Sequence, residues 1–377
     1  MDSSFTPSRL AVARRRRGLT KKALADVSGI SLRSLTGYEA GAHVPSAAHL
    51  DVLARVLKFP VAFFAREDLD ALRSEGVSFR SMSRMTAGQR ARALASGEMA
   101  LELSAWLERH FSLPDPDVPD LRQYSDPEAA ALALRSRWGL GDRPLAHVVR
   151  LLEAKGIRVF SLAEEAREVD AFSFWRGGVP FVFLNTGKSG ERSRFDAAHE
   201  LGHLVLHAHG APSGREAEQE ADLFASSLLM PRSSVLAYVP RGATLADLLA
   251  RKRVWGVSLA ALAHRAHRVG LLSEWQYRTL AIQIQERGYR TSEPDPMPRE
   301  LSQVTEKVFS ALRAEGRNKA DVARELGWPV AELESLVFGL VLRAVPGAAV
   351  DTDVSARRSR SHEEDAAVGQ PSLHLVP

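Results

Sequence analysis

The run His199-Glu200-Leu201-Gly202-His203 holds the residue types from which a hydrolytic metal centre is built. Histidines at i and i+4 share one face of an α-helix, one turn apart, so both imidazoles can reach one tetrahedral cation. Glu200, next to His199, then stands beside that cation as a base for its water. The chain has no cysteine, which excludes a disulfide, a thiolate nucleophile and a cysteine-ligated metal. The cation is therefore expected on imidazole and carboxylate, with Zn2+ the first choice and Mn2+ the alternative.

A carboxylate-rich run follows, Glu216-Ala217-Glu218-Gln219-Glu220-Ala221-Asp222. Zinc peptidases of this general type take a third ligand from such a helix, with an aspartate one turn later orienting an imidazole. Glu218 and Asp222 have that spacing, with Glu218 aimed at the metal and Asp222 accepting the far N–H of His199 or His203. Glu220 lies about 200° round the helix from Glu218 and is the less favoured ligand, while Glu216 suits a solvated face. His209 is a rival, ten residues after His199, but Leu206 stands where the chain would need a helix-breaking glycine. His207 extends the face of His203 and either meets substrate, lends a proton, or is an ordinary half-exposed histidine.

These side chains need a helix over 190–208, with Phe195, Ala198, Gly202, Val205 and Leu206 as its apolar face, and a second over 215–229. Upstream, helices are expected near 127–138 and 144–155, with strands over 156–162, 169–175 and 179–184. The last two strands flank Arg176-Gly177-Gly178 as a hairpin. The order is α+β, a small antiparallel sheet backed by helices.

The wider pattern runs from Asn185 and Arg194-Phe195 through Ala198 to His207, then from Glu218 to Met230-Pro231. Over about 147–231 it closely resembles the ImmA/IrrE family of metallo-endopeptidases. The resemblance implies a zincin-like domain that cleaves a peptide bond in a protein substrate, typically a repressor, with His199, His203 and Glu218 as metal ligands. Glu200 would deprotonate the attacking water and deliver the proton to the leaving amine. His207, His209 and Arg194 are candidates for the oxyanion. Asp196 departs from the family's small residue and adds a carboxylate near the site.

Residues 1–66 hold eleven Lys/Arg against four acids, a net +7 in a chain of net +4. A basic segment on a nearly neutral body points to a polyanion partner. Thr6-Pro7, Thr20, Ser31 and Ser46 each suit a helix start, and Ser28-Gly29-Ile30 a tight turn between the second and third helices. Through Arg14, Gly18-Leu19-Thr20, Leu24-Ala25, Gly29-Ile30-Ser31, Tyr38-Glu39-Ala40-Gly41 and Pro45-Ser46, residues 7–64 resemble the XRE-type helix-turn-helix family. The resemblance implies a double-stranded DNA operator as partner, and a homodimer, because two half-sites want two recognition helices. Ser31, Arg33, Ser34 and Thr36 fall on the recognition helix, with Arg33 suited to a guanine edge. Lys21, Lys22 and the Arg14–Arg17 run would bind phosphate, although Lys21 stands where the family usually has glutamine. Glu39 is expected to be a structural hydrogen-bond or ion-pair partner rather than a DNA contact.

At 377 residues, 45% hydrophobic and 25% charged, the chain reads as a soluble protein with more than one core. The expected class is mixed, mainly α. The divisions are a helix-turn-helix domain at 1–66, a linker with a long spacer or dimer helix at 67–119, and the peptidase-like domain at 120–235. A C-terminal helical bundle at 236–345 and a disordered tail at 346–377 complete it. Helices near 259–269 and 273–288 look like the C-terminal part of proteins that fuse the two families. Residues 321–334 repeat a helix-turn-helix spacing, but Glu332 and Glu334 would be repelled by phosphate, which favours packing. Met1–Leu10 lacks a signal-peptide pattern and no apolar run approaches ~20 residues, so a cytoplasmic protein without membrane contact is expected. The competing function is a DNA-binding sensor whose peptidase-like domain binds metal, ligand or partner without turnover.

Overall fold

The computed structural model of the chain describes residues 5–72, 77–79, 86–162, 171–207, 214–337 and 339. The expected tail and His209 lie outside the described residues. The first four helices, α1 (Pro7–Arg16), α2 (Lys21–Ser28), α3 (Leu32–Glu39) and α4 (Ala47–Leu57), form the N-terminal module. Thr20, Ser31 and Ser46 cap α2, α3 and α4 by accepting from backbone N–H groups. Thr6 precedes α1 without capping it; its hydroxyl donates to the Arg66 carbonyl at 2.5 Å. α2 ends at Gly29, whose φ of +70° lies in the left-handed region that favours glycine. Leu10, Leu24, Leu35, Leu53 and Leu57 close this core with Phe63 and Phe64 of a short 3-10 turn, Val61–Ala65.

The Arg14–Arg17 run, expected on phosphate, is committed inside the molecule. Arg14 pairs with Glu39 (2.5 Å), Arg15 with Glu98 (2.5 Å), and Arg16 and Arg17 both with Glu332 (2.6 Å each). The physical reason is burial: Arg16 is 2% exposed, and a guanidinium there is stable only against a carboxylate.

A four-stranded sheet follows in the order β1-β3-β4-β2, from β1 (Val77–Phe79), β2 (Arg158–Ser161), β3 (Ala171–Arg176) and β4 (Val179–Leu184). The sheet is mixed, not antiparallel as expected. β4 turns back from β3 through Gly177-Gly178 and lies between β3 and β2, so it runs antiparallel to one and parallel to the other. Side-chain alternation splits the faces. Phe160, Phe172, Phe174, Phe181 and Phe183 belong to one core, with Phe172 and Phe183 stacked at 4.3 Å between centroids, while Val159, Ala171, Val182 and Leu184 belong to the other.

On the phenylalanine side lie the N-terminal module, α5 (Ala87–His110), α14 (Gln303–Ala314), α15 (Lys319–Leu326) and α16 (Val330–Val337). The spacer reading of α5 is corrected. It opens with a Thr86/Gln89 capping box, but Ala93, Ala95, Gly97, Met99, Ala100, Leu103 and Trp106 are buried. Its small residues admit neighbours closely, and a Cβ on Gly97 would lie 2.5 Å from Leu72 Cδ1. Trp106 Nε1 donates to Glu325, Trp328 Nε1 to Glu102, and Ser161 Oγ to the Ser335 carbonyl. The 321–334 segment thus packs.

The opposite face carries α6 (Pro127–Arg137), α7 (Val148–Ala154), α8 (Gly190–Leu206), α9 (Arg215–Leu229), α10 (Arg232–Tyr238), α11 (Leu245–Trp255), α12 (Leu259–Arg268) and α13 (Glu274–Glu286). Helices after the site therefore divide between the two cores. No described helix is long and apolar enough to cross a membrane.

Candidate metal centre

Ser189 caps α8, and the helix lies against β3, β4 and α9 with almost every side chain buried. Its 3.6-residue period stacks His199 over His203, and Glu218 enters from the first turn of α9. His199 Nε2 and His203 Nε2 are 3.0 Å apart; Glu218 Oε2 lies 3.5 Å from the first and Glu218 Oε1 3.3 Å from the second. A tetrahedral centre with bonds near 2.0–2.1 Å sets neighbouring donors about 3.3 Å apart, so this triangle fits a cation of zinc size. The donor set, two imidazoles and one carboxylate, suits Zn2+ or Mn2+.

The electrostatics agree. Burial lowers His203 to about 4, so its ring is neutral with a lone pair to offer. Burial opposes ionisation of Glu218, yet the His199 and His203 rings beside it hold its carboxyl well below the usual range. His199 Nδ1 donates to Asp222 at 2.8 Å, fixing that ring from behind. Glu200 is fully buried and burial pushes its carboxyl up to about 7, against the pull of His199 and the Ser173 hydroxyl. Ser173 Oγ donates to Glu200 Oε2 at 2.7 Å, while Oε1 is buried without a partner among the described residues.

Glycine sets the approach of the two helices. A Cβ on Gly202 would lie 3.1 Å from Phe224 Cδ1 and 3.2 Å from Ala221 Cα. Gly202→Val is expected to push α9 outward, lowering stability by about 1–3 kcal/mol and weakening zinc uptake. Denaturant unfolding and zinc titration check this; a variant unchanged in both would show that the helix approach does not set the triangle.

Other expected residues have partners of their own, and Asp196 lies near enough to the site to oppose ionisation of Glu200. Arg194 cannot reach an oxyanion: it is buried and donates to the Trp255 and Leu145 carbonyls and to Glu300. Asp196 is buried with its charge met by Lys188 at 3.2 Å. His207 turns inward to His203 and Glu220. Ser173 was missed; its one signal is a lone hydroxyl in the aromatic strand Ala171-Phe172-Ser173-Phe174-Trp175.

At the N-terminal module, Lys22, Ser31, Arg33 and Thr36 are exposed, and Lys21 and Ser34 half-buried. Lys21 pairs with Glu39 at 3.4 Å, Ser34 Oγ lies 2.9 Å from Ser31 Oγ, and Thr36 Oγ1 donates to the Leu32 carbonyl. Among these six residues, Arg33 and Lys22 are the exposed long cations.

Residues 152–267 match a peptidase family described as the IrrE N-terminal-like domain, and residues 8–66 match a helix-turn-helix domain. No curated protein matches the chain. The chain is thus a fusion of a helix-turn-helix domain with an IrrE N-terminal-like peptidase domain.

Proposed function

We propose that the chain is a transcription regulator that reads a double-stranded DNA operator through α3 and hydrolyses a peptide bond in a protein substrate, a repressor of helix-turn-helix type. The observation that carries the hydrolytic half is the triangle of His199, His203 and Glu218 with Glu200 beside it. A divalent cation held by those three would polarise a carbonyl and acidify a water. Glu200 Oε1, unpartnered and shielded from solvent, takes the proton and passes it to the leaving nitrogen, while Ser173 steadies Oε2. Asp222 keeps Nε2 of His199 turned to the centre.

The test is incubation of the zinc-loaded full chain with the repressor-type proteins encoded beside its gene, with products read by mass spectrometry. Site-specific cleavage is expected. Bound zinc with every candidate intact would overturn the peptidase reading in favour of a sensor.

On DNA, Ser31 caps the N-terminal end of α3, Arg33 reaches a base edge, and Lys21, Lys22 and Thr36 face the backbone, with Ser34 supporting the cap. Leu32, 47% exposed beside Arg33, suits a thymine methyl. A homodimer supplies two recognition helices. Arg33→Ala is expected to weaken binding by about 1–3 kcal/mol and relax specificity at one position, whereas Lys22→Ala weakens all sequences alike and reduces the salt slope by about 1. Fluorescence anisotropy on duplexes selected from a random pool measures both; equal effects on selected and random DNA would remove Arg33 from base readout.

A further inference from the structure

α9 carries acids at 216, 218, 220 and 222, of which Glu218 and Asp222 already have tasks. Glu220 points to a different one. Its Oε2 lies 2.8 Å from His207 Nε2, and His207 Nδ1 lies 2.9 Å from His203 Nδ1. The His207 side chain is only 7% exposed, so its ring nitrogens are met by protein groups.

We propose that His207 and Glu220 are positioning residues, a relay from α9 that holds His203 in the tautomer a cation requires; this rests on the cation reading above. A neutral imidazole has one N–H and one lone pair. His203 Nε2 faces His199 and Glu218, so binding a cation there puts the His203 proton on Nδ1. That N–H must donate to His207 Nδ1, which then has to be the accepting nitrogen. The His207 proton is left on Nε2, where Glu220 accepts it. Every atom in the chain has one allowed role once Nε2 of His203 offers its lone pair. Asp222 does the same for His199 in a single step. Each imidazole is thus oriented from behind by a carboxylate of α9, one directly and one through a second histidine.

The test uses the full chain and two readouts. Chelator competition gives zinc affinity, and long-range 15N–1H spectra of the loaded protein give the tautomer of His203. His207→Leu and Glu220→Leu are expected to lose about 10–100-fold in zinc affinity and to lose the protected Nδ1 proton of His203. Glu220→Gln, whose amide oxygen still accepts from His207, is expected to recover most of the affinity lost in Glu220→Leu. Wild-type affinity with an unchanged His203 tautomer in either leucine variant overturns the relay. Wild-type protein that takes up no zinc overturns the site reading and the relay with it. If His207→Leu does not fold, the half-exposed Glu220 decides.

Discussion

On the proposed peptidase reading, Glu200→Gln is expected to retain zinc and to lose turnover by about 10²–10⁴-fold, the contribution of a positioned acid–base group. The amide has the shape of the carboxyl, and its oxygen still accepts from Ser173 Oγ, so the pocket is undisturbed. What the variant lacks is an atom at the Oε1 position able to take a proton. Zinc affinity measured beside cleavage of the proposed repressor substrate separates binding from chemistry; undiminished cleavage would remove Glu200 as the base.

The same substitution has a signature in the metal-free protein. Burial raises folded Glu200 to about 7, whereas an unfolded glutamate titrates near 4.3. Between those values the folded state binds more protons than the unfolded one, so unfolding free energy falls as pH rises across the window. Glu153, raised by burial to about 7 at the start of α14, acts in the same sense. Subtracting wild type from Glu200→Gln isolates one group: the variant gains relative stability from about pH 5 to about pH 7.5. Urea unfolding at both values measures it, and a pH-independent difference would mean that Glu200 is ionised throughout.

The centre was legible because its rules are local. Helix period places His199 over His203 and Glu218 a turn from Asp222 whatever the rest of the chain does. Helix caps at Thr20, Ser31 and Ser46 are set within four residues and were readable for the same reason. What escaped depends on partners far along the chain. Arg16 looks like a phosphate contact until Glu332 arrives against it. The direction of β2 beside β4, and the hydroxyl of Ser173 under Glu200, are likewise decided by tertiary packing. Glu220 was turned away from the metal by correct helical arithmetic, which could not show that His207 would bridge the gap.

Glu332→Leu is expected to destabilise the chain by about 3–5 kcal/mol, the range for removing one partner from a buried ion pair. Glu332 is 3% exposed and its two oxygens accept from Arg16 Nε and Arg17 Nη1, each at 2.6 Å. Among the described residues, leucine leaves the Arg16 guanidinium in the core with only Ser335 Oγ as a hydrogen-bond acceptor, and Arg16 Nη1 already has none. Arg17, 19% exposed, can turn to water, so most of the loss belongs to Arg16. Replacing both buried partners, Arg16→Met with Glu332→Leu, should therefore restore most of the stability, because an apolar pair needs no compensation. Denaturant unfolding of wild type, both single variants and the double variant forms the cycle. Additive single losses would mean that α16 is held to α1 by its apolar contacts, and that the charges across the joint are incidental.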